Sequence, residues 1–194
     1  MSKRVMIVVF TVLVTVVFVS PISLVYLVTK PKVELNEKVF LQRSVLYAAG
    51  LPLPPTPEQI TELFGARVEP KSGGGGDYYL VKDPAGQPAG YVFLQSGPGL
   101  WGEITAAVGF DAQLEKLTGV DFLKQGETPG LGARIGESWF REQFRGRRGP
   151  FTTVGEGEPA AESQFDAITG ATLTSNFVKD LLNAAVGQAG QQVQ

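Results

Sequence analysis

The N-terminal region contains an apolar stretch that constrains the fold more than any other feature. Residues 5–29, VMIVVFTVLVTVVFVSPISLVYLVT, include no charged side chain. Bilayer hydrocarbon is about 30 Å thick and requires roughly 20 apolar residues of helix to cross it. The stretch provides that length even with Pro21 inside it. We therefore predict a single transmembrane anchor over residues 1–30.

A secretory signal peptide is the alternative interpretation, with Lys3 and Arg4 as its basic region. No A-x-A-like cleavage site follows, and the sequence has no cysteine that could carry a lipid. These two observations favour a retained anchor. The flanking charges leave its orientation open, because Lys30 and Lys32 on one side match Lys3 and Arg4 on the other.

Composition excludes several kinds of chemistry. The sequence has no cysteine and no histidine, which excludes disulfides, iron–sulfur clusters, the usual zinc sites and histidine-dependent nucleophilic catalysis. Any redox chemistry must therefore come from an organic cofactor. A formal net charge of -2 gives no electrostatic basis for binding nucleic acid. Since no dense cluster of carboxylates is visible, we also expect no metal site.

Residues 31–72 are predicted to be a helical linker, and residues 73–194 a single domain. A helix over residues 39–50 should stop at Gly50, before the proline-rich segment LPLPPTP. Thr56 and Gln59 resemble a capping box with Pro57 at the first helical position, opening a short helix that ends before Gly65.

The domain itself has an α+β pattern. Residues 77–83 and 91–96 predict a hairpin, preceded by a mobile loop of four glycines at residues 73–76 that lacks the Gly-Lys-Ser/Thr of a P-loop. Further strands are predicted at residues 103–110 and 116–124, and a helix at residues 138–144. A last helix should bury one apolar face, formed by Phe177, Val178, Leu181, Leu182, Ala185 and Val186.

The segment before that last helix, DAITGATLTS, has the composition of an anion site. The start of a helix presents unpaired backbone N–H groups and the positive end of the helix dipole. Gly170 and Ala171 add little bulk there, and the hydroxyls of Thr169, Thr172 and Thr174 could cap the helix or meet an anion. A simple capped helix would have the same residues, so this pattern alone names no ligand.

Residues 166–172, DAITGAT, resemble the flavinylation motif Asp-x-x-Ser/Thr-Gly-Ala-Thr/Ser of the FMN-binding domain family. That family includes the G subunit of Rnf electron-transport complexes and the C subunit of the sodium-pumping NADH:quinone oxidoreductase. The resemblance implies that Thr172 carries FMN through a phosphoester, installed by a flavin transferase that uses FAD. It also implies that Asp166 belongs to the motif.

Three other segments are similar to the same family in the expected order. They are GPGLWGEI at residues 97–104, GETPGLGARI at residues 126–135 and SWFREQFRG at residues 138–146. The resemblance implies that these segments contribute to the FMN site, with candidate residues Trp101, Gly102, Glu127, Thr128, Leu131 and Gly132. One departure is Gln125, which stands where the family often has histidine and which makes a proton-accepting role there doubtful.

The resemblance implies a membrane-anchored electron carrier in an ion-translocating complex, with the domain outside the cytoplasmic membrane. Its partners would be the other membrane and redox subunits, and the flavin transferase during maturation. The chain length favours the Rnf G subunit over the sodium-pump C subunit. A standalone flavin carrier and a membrane-tethered assembly module without flavin are the alternatives. Because no Rossmann fingerprint follows a strand, we expect no NADH site. The resemblance implies that turnover belongs to the complex, so we expect no independent catalytic site in this chain.

Overall fold

The computed structural model describes residues 2–73, 76–158 and 160–192. The helices are α1 (Lys3–Ala48), α2 (Pro57–Arg67), α3 (Ser138–Glu142) and α4 (Thr172–Gln192), with a 3₁₀ turn at Gly132–Gly136. The strands are β1 (Val68–Gly73), β2 (Gly76–Lys82), β3 (Pro88–Pro98), β4 (Glu103–Asp111), β5 (Leu117–Lys124), β6 (Thr152–Val154) and β7 (Gln164–Asp166). One compact unit extends to Val39 and a second begins at Phe40.

The apolar part of α1 is long and hydrophobic enough to cross a membrane. Its most apolar 18-residue window has a mean hydropathy of 2.8 and is unburied. The hydroxyls of Thr11, Thr15 and Thr29 donate to carbonyls four residues earlier, at 2.8–2.9 Å. Such bonds leave no polar side-chain group of these residues unpaired in an apolar environment.

The C-terminal end of α1 packs in the second unit, where Val45, Leu46 and Ala48 are fully buried. Gly50 adopts φ +73°, its N–H donates to Tyr47 O at 3.0 Å, and the N–H of Leu51 donates to Leu46 O at 3.0 Å. This pair of bonds is a Schellman motif, in which glycine favours the left-handed position. The structure agrees with the predicted stop at Gly50.

A five-stranded antiparallel sheet forms the centre of the second unit. Its strands follow one another in the order β1-β2-β3-β4-β5, and β6 and β7 form a separate parallel pair. Helix α4 packs on the sheet, and four residues of its predicted apolar face, Val178, Leu181, Leu182 and Ala185, are at most 4 % exposed. The other two, Phe177 and Val186, are partly buried. The remaining core is rich in aromatic side chains, Phe93, Phe110, Phe140, Phe144, Phe151 and Phe165. The predicted α+β class and antiparallel sheet are confirmed.

Several boundaries differ from the sequence expectation. Helix α2 continues through Gly65 to Arg67, since a glycine with a helical backbone is tolerated in a helix. Strand β1, Val68–Gly73, begins inside the range predicted as helical linker, residues 31–72. Helix α3 ends at Glu142 instead of residue 144, because the N–H of Phe144 donates to Arg141 O in a tighter turn. Of the loop predicted at residues 73–76, Gly73 ends β1 and Gly76 begins β2, and the two glycines pair with each other. Residues 74 and 75 lie outside the described residues.

Candidate functional site

The start of α4 leaves backbone donors free. The first helical hydrogen bond there runs from the N–H of Ser175 to Ala171 O at 3.0 Å. Among the described residues, no acceptor faces the N–H groups of Thr172, Leu173 and Thr174. Thr172 is also exposed, so its hydroxyl is accessible. Three unpaired N–H groups at the positive end of a 21-residue helix favour an anion.

Gly170 makes this approach to the helix possible. Its φ of +78° lies in the left-handed region, which a residue with a Cβ adopts only with strain. A Cβ on Gly170 would also lie 3.2 Å from Cδ2 of Leu131. The glycine therefore sets both the direction of the chain and its distance from the neighbouring loop.

A cleft of about 290 Å³ separates the start of α4 from the loop that precedes the 3₁₀ turn. One wall is formed by the first turn of α4 and the residues before it, and the other by the loop. The lining residues are Leu100, Glu127, Thr128, Leu131, Gly132, Gly170, Ala171, Thr172, Leu173 and Thr174. The two sequence motifs at residues 126–135 and 166–172 therefore meet at one site.

Glu127 holds the inner end of this cleft together. The residue is 5 % exposed, and its Oε1 accepts the N–H groups of Leu100 at 2.9 Å and Trp101 at 3.2 Å. Its Oε2 accepts the hydroxyl of Thr174 at 2.5 Å. Gln125 supports the loop, because its Oε1 accepts the N–H of Glu127 at 2.7 Å. A buried carboxylate is stable only with such partners.

Two glycines make room for this carboxylate. A Cβ on Gly99 would lie 2.7 Å from Oε1 of Glu127, and a Cβ on Gly132 would lie 2.8 Å from its Oε2. Real Cβ atoms do not approach oxygen so closely. The glycines of the segments at residues 97–104 and 126–135 therefore serve the packing around Glu127 as well as the cleft.

The rim of the cleft is apolar and exposed. Leu100, Leu131 and Leu173 are 48 %, 43 % and 56 % exposed, and Trp101, next to Leu100, is 70 % exposed. Among the described residues from Phe40 onward, these four make up most of the exposed large apolar side chains. Clustered exposed apolar groups typically mark a binding surface, and here they suit a flat aromatic ring.

A polar network closes the outer side of residues 169–172, the TGAT loop. The guanidinium of Arg134 binds Glu156 with two hydrogen bonds, at 2.8 and 3.2 Å, and Oε2 of Glu156 accepts the N–H of Thr169 at 2.7 Å. Arg134, followed by the Thr169 N–H, holds the pKa of Glu156 at about 2. Asp166 accepts the N–H of Gly157 at 2.9 Å and so attaches the same loop.

The structure brings most of the predicted residues together and separates a few. Trp101 and Gly102 lie at the tip of the β3–β4 hairpin beside the cleft, while Asp166 and Thr169 contact the turn at residues 155–158 and do not line it. Glu127 lines the cleft, and both of its oxygens are bonded to protein donors. Sequence reasoning missed Leu100, Leu173, Arg134 and Glu156; the first two each adjoin a motif residue, which is the signal that could have found them.

The residues of the cleft suit FMN in two respects. The unpaired N–H groups of α4 match a phosphate, and the exposed leucines and Trp101 match the isoalloxazine ring. The hydroxyl of Thr172 lies in the same helical turn as those N–H groups.

Comparisons with known proteins lead to the same domain. The model of the FMN-binding domain matches residues 99–187. The C subunit of the Na(+)-translocating NADH-quinone reductase of Pasteurella multocida is 37 % identical over 122 residues, covering 59 % of this chain and 46 % of that protein. The G subunit of the ion-translocating oxidoreductase complex of Methanosarcina acetivorans is 35 % identical over 115 residues, covering 59 % of each. The chain thus spans about half the length of the curated relatives it matches.

Solved structures share the fold. The chain superposes on NqrC of Shewanella oneidensis with a TM-score of 0.68 and 21 % identity, over 76 % of this chain and 90 % of the other. It superposes on the C subunit of the Na(+)-translocating NADH-quinone reductase from Parabacteroides distasonis with a TM-score of 0.67 and 23 % identity. The superposition covers 83 % of this chain and 95 % of the other. Residues 99–187 thus match the model of the FMN-binding domain family, and the chain shares the fold of these two solved structures.

Proposed function

We propose that this protein is a membrane-anchored electron carrier with FMN attached covalently to Thr172. The observation that carries the proposal is an exposed hydroxyl in the first turn of α4, among three unpaired N–H groups and beside an apolar cleft. The match of residues 99–187 to the model of the FMN-binding domain family supports the identity of the ligand. When bound, FMN supplies the electron-transfer chemistry.

The attachment is a phosphoryl transfer to Thr172. Its Oγ forms a bond to the FMN phosphorus of FAD, the phosphoanhydride bond of FAD breaks, AMP leaves, and the hydroxyl proton is released. No electrons are exchanged in this step. A separate flavin transferase catalyses it. The free N–H groups of α4 would hold the resulting phosphate, and Leu131 and Leu173 would contact the ring.

The apolar segment of α1 is proposed to be the membrane anchor. Its length and hydropathy support a single crossing of the cytoplasmic membrane. We propose that the N-terminus lies inside and the FMN-binding domain outside. A covalent bond would then prevent loss of the cofactor to the extracytoplasmic space.

The electron donor and acceptor are proposed to be other subunits of an ion-translocating complex of the Rnf or sodium-pump type. The names of the relatives support this assignment, since they are the G and C subunits of such complexes. Relatives of both types match, so the sodium-pump C subunit stands beside the Rnf G subunit. On this proposal turnover belongs to the whole complex, while this chain relays electrons.

A substitution of Thr172 tests the proposal. The full chain is co-produced with a flavin transferase, and covalent flavin is detected by fluorescence after denaturing electrophoresis. We expect a fluorescent band for the wild type and none for Thr172→Ala. The fold should remain, because an exposed side chain with no partner among the described residues contributes less than about 1 kcal/mol.

Thr152→Ala is a matched control, since Thr152 is exposed on β6 and does not line the cleft. It should keep its fluorescence. A fluorescent Thr172→Ala variant would contradict the assignment of Thr172, and a colourless wild type would contradict covalent FMN and favour an assembly module.

A further inference from the structure

The segment that leads into α4 is fastened to the turn between β6 and β7. The N–H of Ala167 donates to Val154 O at 2.8 Å, and Asp166 accepts the N–H of Gly157 at 2.9 Å. The third bond runs from the N–H of Thr169 to Glu156 at 2.7 Å. Of the three, only the bond to Glu156 is made at the residue directly before Gly170.

Glu156 is itself held in place. Arg134 binds both of its oxygens, and the guanidinium of Arg134 lies 5.1 Å from the centre of the Trp139 ring. Arg134 belongs to the 3₁₀ turn that directly follows Leu131, so it is joined to the wall of the cleft opposite α4. The contacts Arg134–Glu156–Thr169 therefore connect the two walls on the outer side, as Glu127–Thr174 does on the inner side.

The bond to Glu156 also determines which N–H groups remain available. With the N–H of Thr169 occupied by a carboxylate, the N–H groups of this segment that have no acceptor among the described residues are those of Gly170, Thr172, Leu173 and Thr174. A carboxylate near a phosphate site would repel the anion, but the guanidinium of Arg134 neutralises it at close range. Arg134 thus offsets the charge of Glu156 while the network fixes the loop, and the same guanidinium lies 3.6 Å from Glu137.

We infer that Glu156, oriented by Arg134, is a positioning residue that fixes the TGAT loop for attachment of FMN to Thr172. The inference rests on the proposed function. It assigns to Glu156 a contact with the Thr169 N–H, and to the residue itself no contact with FMN. Reacting groups must be held within fractions of an ångström for rapid transfer, so release of this loop should slow the attachment.

The experiment measures the initial rate of covalent FMN incorporation into the full chain by intact-protein mass spectrometry, with purified flavin transferase and FAD. Glu156→Ala removes the acceptor and should lower the rate about tenfold, as expected for loss of a hydrogen bond to a charged group. Glu156→Gln keeps an acceptor oxygen for the Thr169 N–H and should restore the rate to within about threefold of the wild type. Glu162→Ala, an exposed residue of the same β6–β7 connection, is the control.

A swapped pair separates positioning from simple ion pairing. The double variant Arg134→Glu with Glu156→Arg can form the ion pair again, but arginine has no acceptor for the Thr169 N–H. We expect the rate of FMN incorporation into this double variant to remain as low as in Glu156→Ala. Amide hydrogen exchange at Thr169 should be faster in Glu156→Ala and in the swapped variant, and unchanged in Glu156→Gln.

Two outcomes would overturn the inference. One is a wild-type rate for Glu156→Ala, and the other is full recovery in the swapped variant. If the wild type itself incorporates no FMN, the proposed function fails instead, and the exchange of the Thr169 amide still reports whether Glu156 fixes the loop.

Discussion

Glu127 shows how one side chain can organise three separate segments. It receives hydrogen bonds from the β3–β4 hairpin tip and from the first turn of α4, and it lies on the loop between them. Each of these donors would be left unpaired if the carboxylate were removed. Its burial therefore makes it a large contributor to stability and to the shape of the cleft.

Glu127→Ala is expected to lower the free energy of unfolding by about 2 kcal/mol, because the buried hydroxyl of Thr174 loses its acceptor and carries its desolvation cost. Glu127→Gln should lower the free energy of unfolding by less, since its amide oxygen still accepts the N–H groups of Leu100 and Trp101. Urea unfolding of the full chain in detergent measures the difference. Glu162 is exposed, so the free energy of unfolding of Glu162→Ala should be within about 0.5 kcal/mol of that of the wild type. Equal stability of Glu127→Ala and Glu162→Ala would contradict this account.

The sequence indicated that Glu127 belongs to the site but not what it binds. Its partners are 26, 27 and 47 residues away along the chain. Only the folded sheet brings them within hydrogen-bond distance. The same limit applies to Glu156, whose partners Arg134 and Thr169 are 22 and 13 residues distant and which no motif marks. Thr172, in contrast, was identifiable because its motif is contiguous.

At the scale of elements, the end of α1 rests on a pair of glycines. Gly109 on β4 pairs with Gly119 on β5, and a Cβ on Gly109 would lie 2.0 Å from Ala48 O. Thr118 donates its hydroxyl to the same carbonyl at 2.6 Å. The backbone of α1 can approach the sheet closely only because side chains are absent there.

Gly109→Ala should therefore destabilise the second unit by about 3 kcal/mol, since the chain must shift to admit the methyl group. Gly65→Ala is the matched control. Gly65 lies within α2, and a Cβ added there would meet open space. Gly65→Ala should therefore raise the free energy of unfolding by about 0.5–1 kcal/mol. Thermal unfolding of both variants tests the pair, and a Gly109→Ala variant as stable as Gly65→Ala would be incompatible with the close contact.

Long elements with regular patterns were predictable from the sequence, and short ones were not. The spacing of apolar residues located α4, and runs of β-branched and aromatic residues located β2 to β5. Strand β1, VEPKSG, contains proline and charged residues and has a single buried position, so it lacks the alternation that marks a strand. Strands β6 and β7 have three residues each, too few to show a period.

For the whole molecule, three ion-paired glutamates contribute to the response of stability to acid. Each has a pKa held at about 2, against an ordinary value of 4.5, because a cation binds it: Glu69 with Lys71 and Lys82, Glu142 with Arg145, and Glu156 with Arg134. A lowered pKa in the folded state contributes stability that is fully present above the unfolded value and lost as the pH falls through the folded value. No histidine is present to titrate between about pH 5 and 8.

Stability should therefore be nearly constant from about pH 8 to 5 and fall between about pH 4.5 and 2. We compare the wild type with a triple variant, Glu69→Gln, Glu142→Gln and Glu156→Gln. Its free energy of unfolding should fall less steeply over the acid range, because these three side chains no longer bind protons on unfolding. Urea midpoints measured as a function of pH provide the comparison. Identical acid profiles for the wild type and the triple variant would exclude these ion pairs as the cause.

The central claim is that FMN is attached to Thr172, and peptide mass spectrometry tests it most directly. The full chain is co-produced with a flavin transferase, its intact mass is measured, and the modified peptide is sequenced. We expect a mass gain equal to FMN minus water, located on Thr172. An unmodified mass, or a gain located on another residue, would contradict the account.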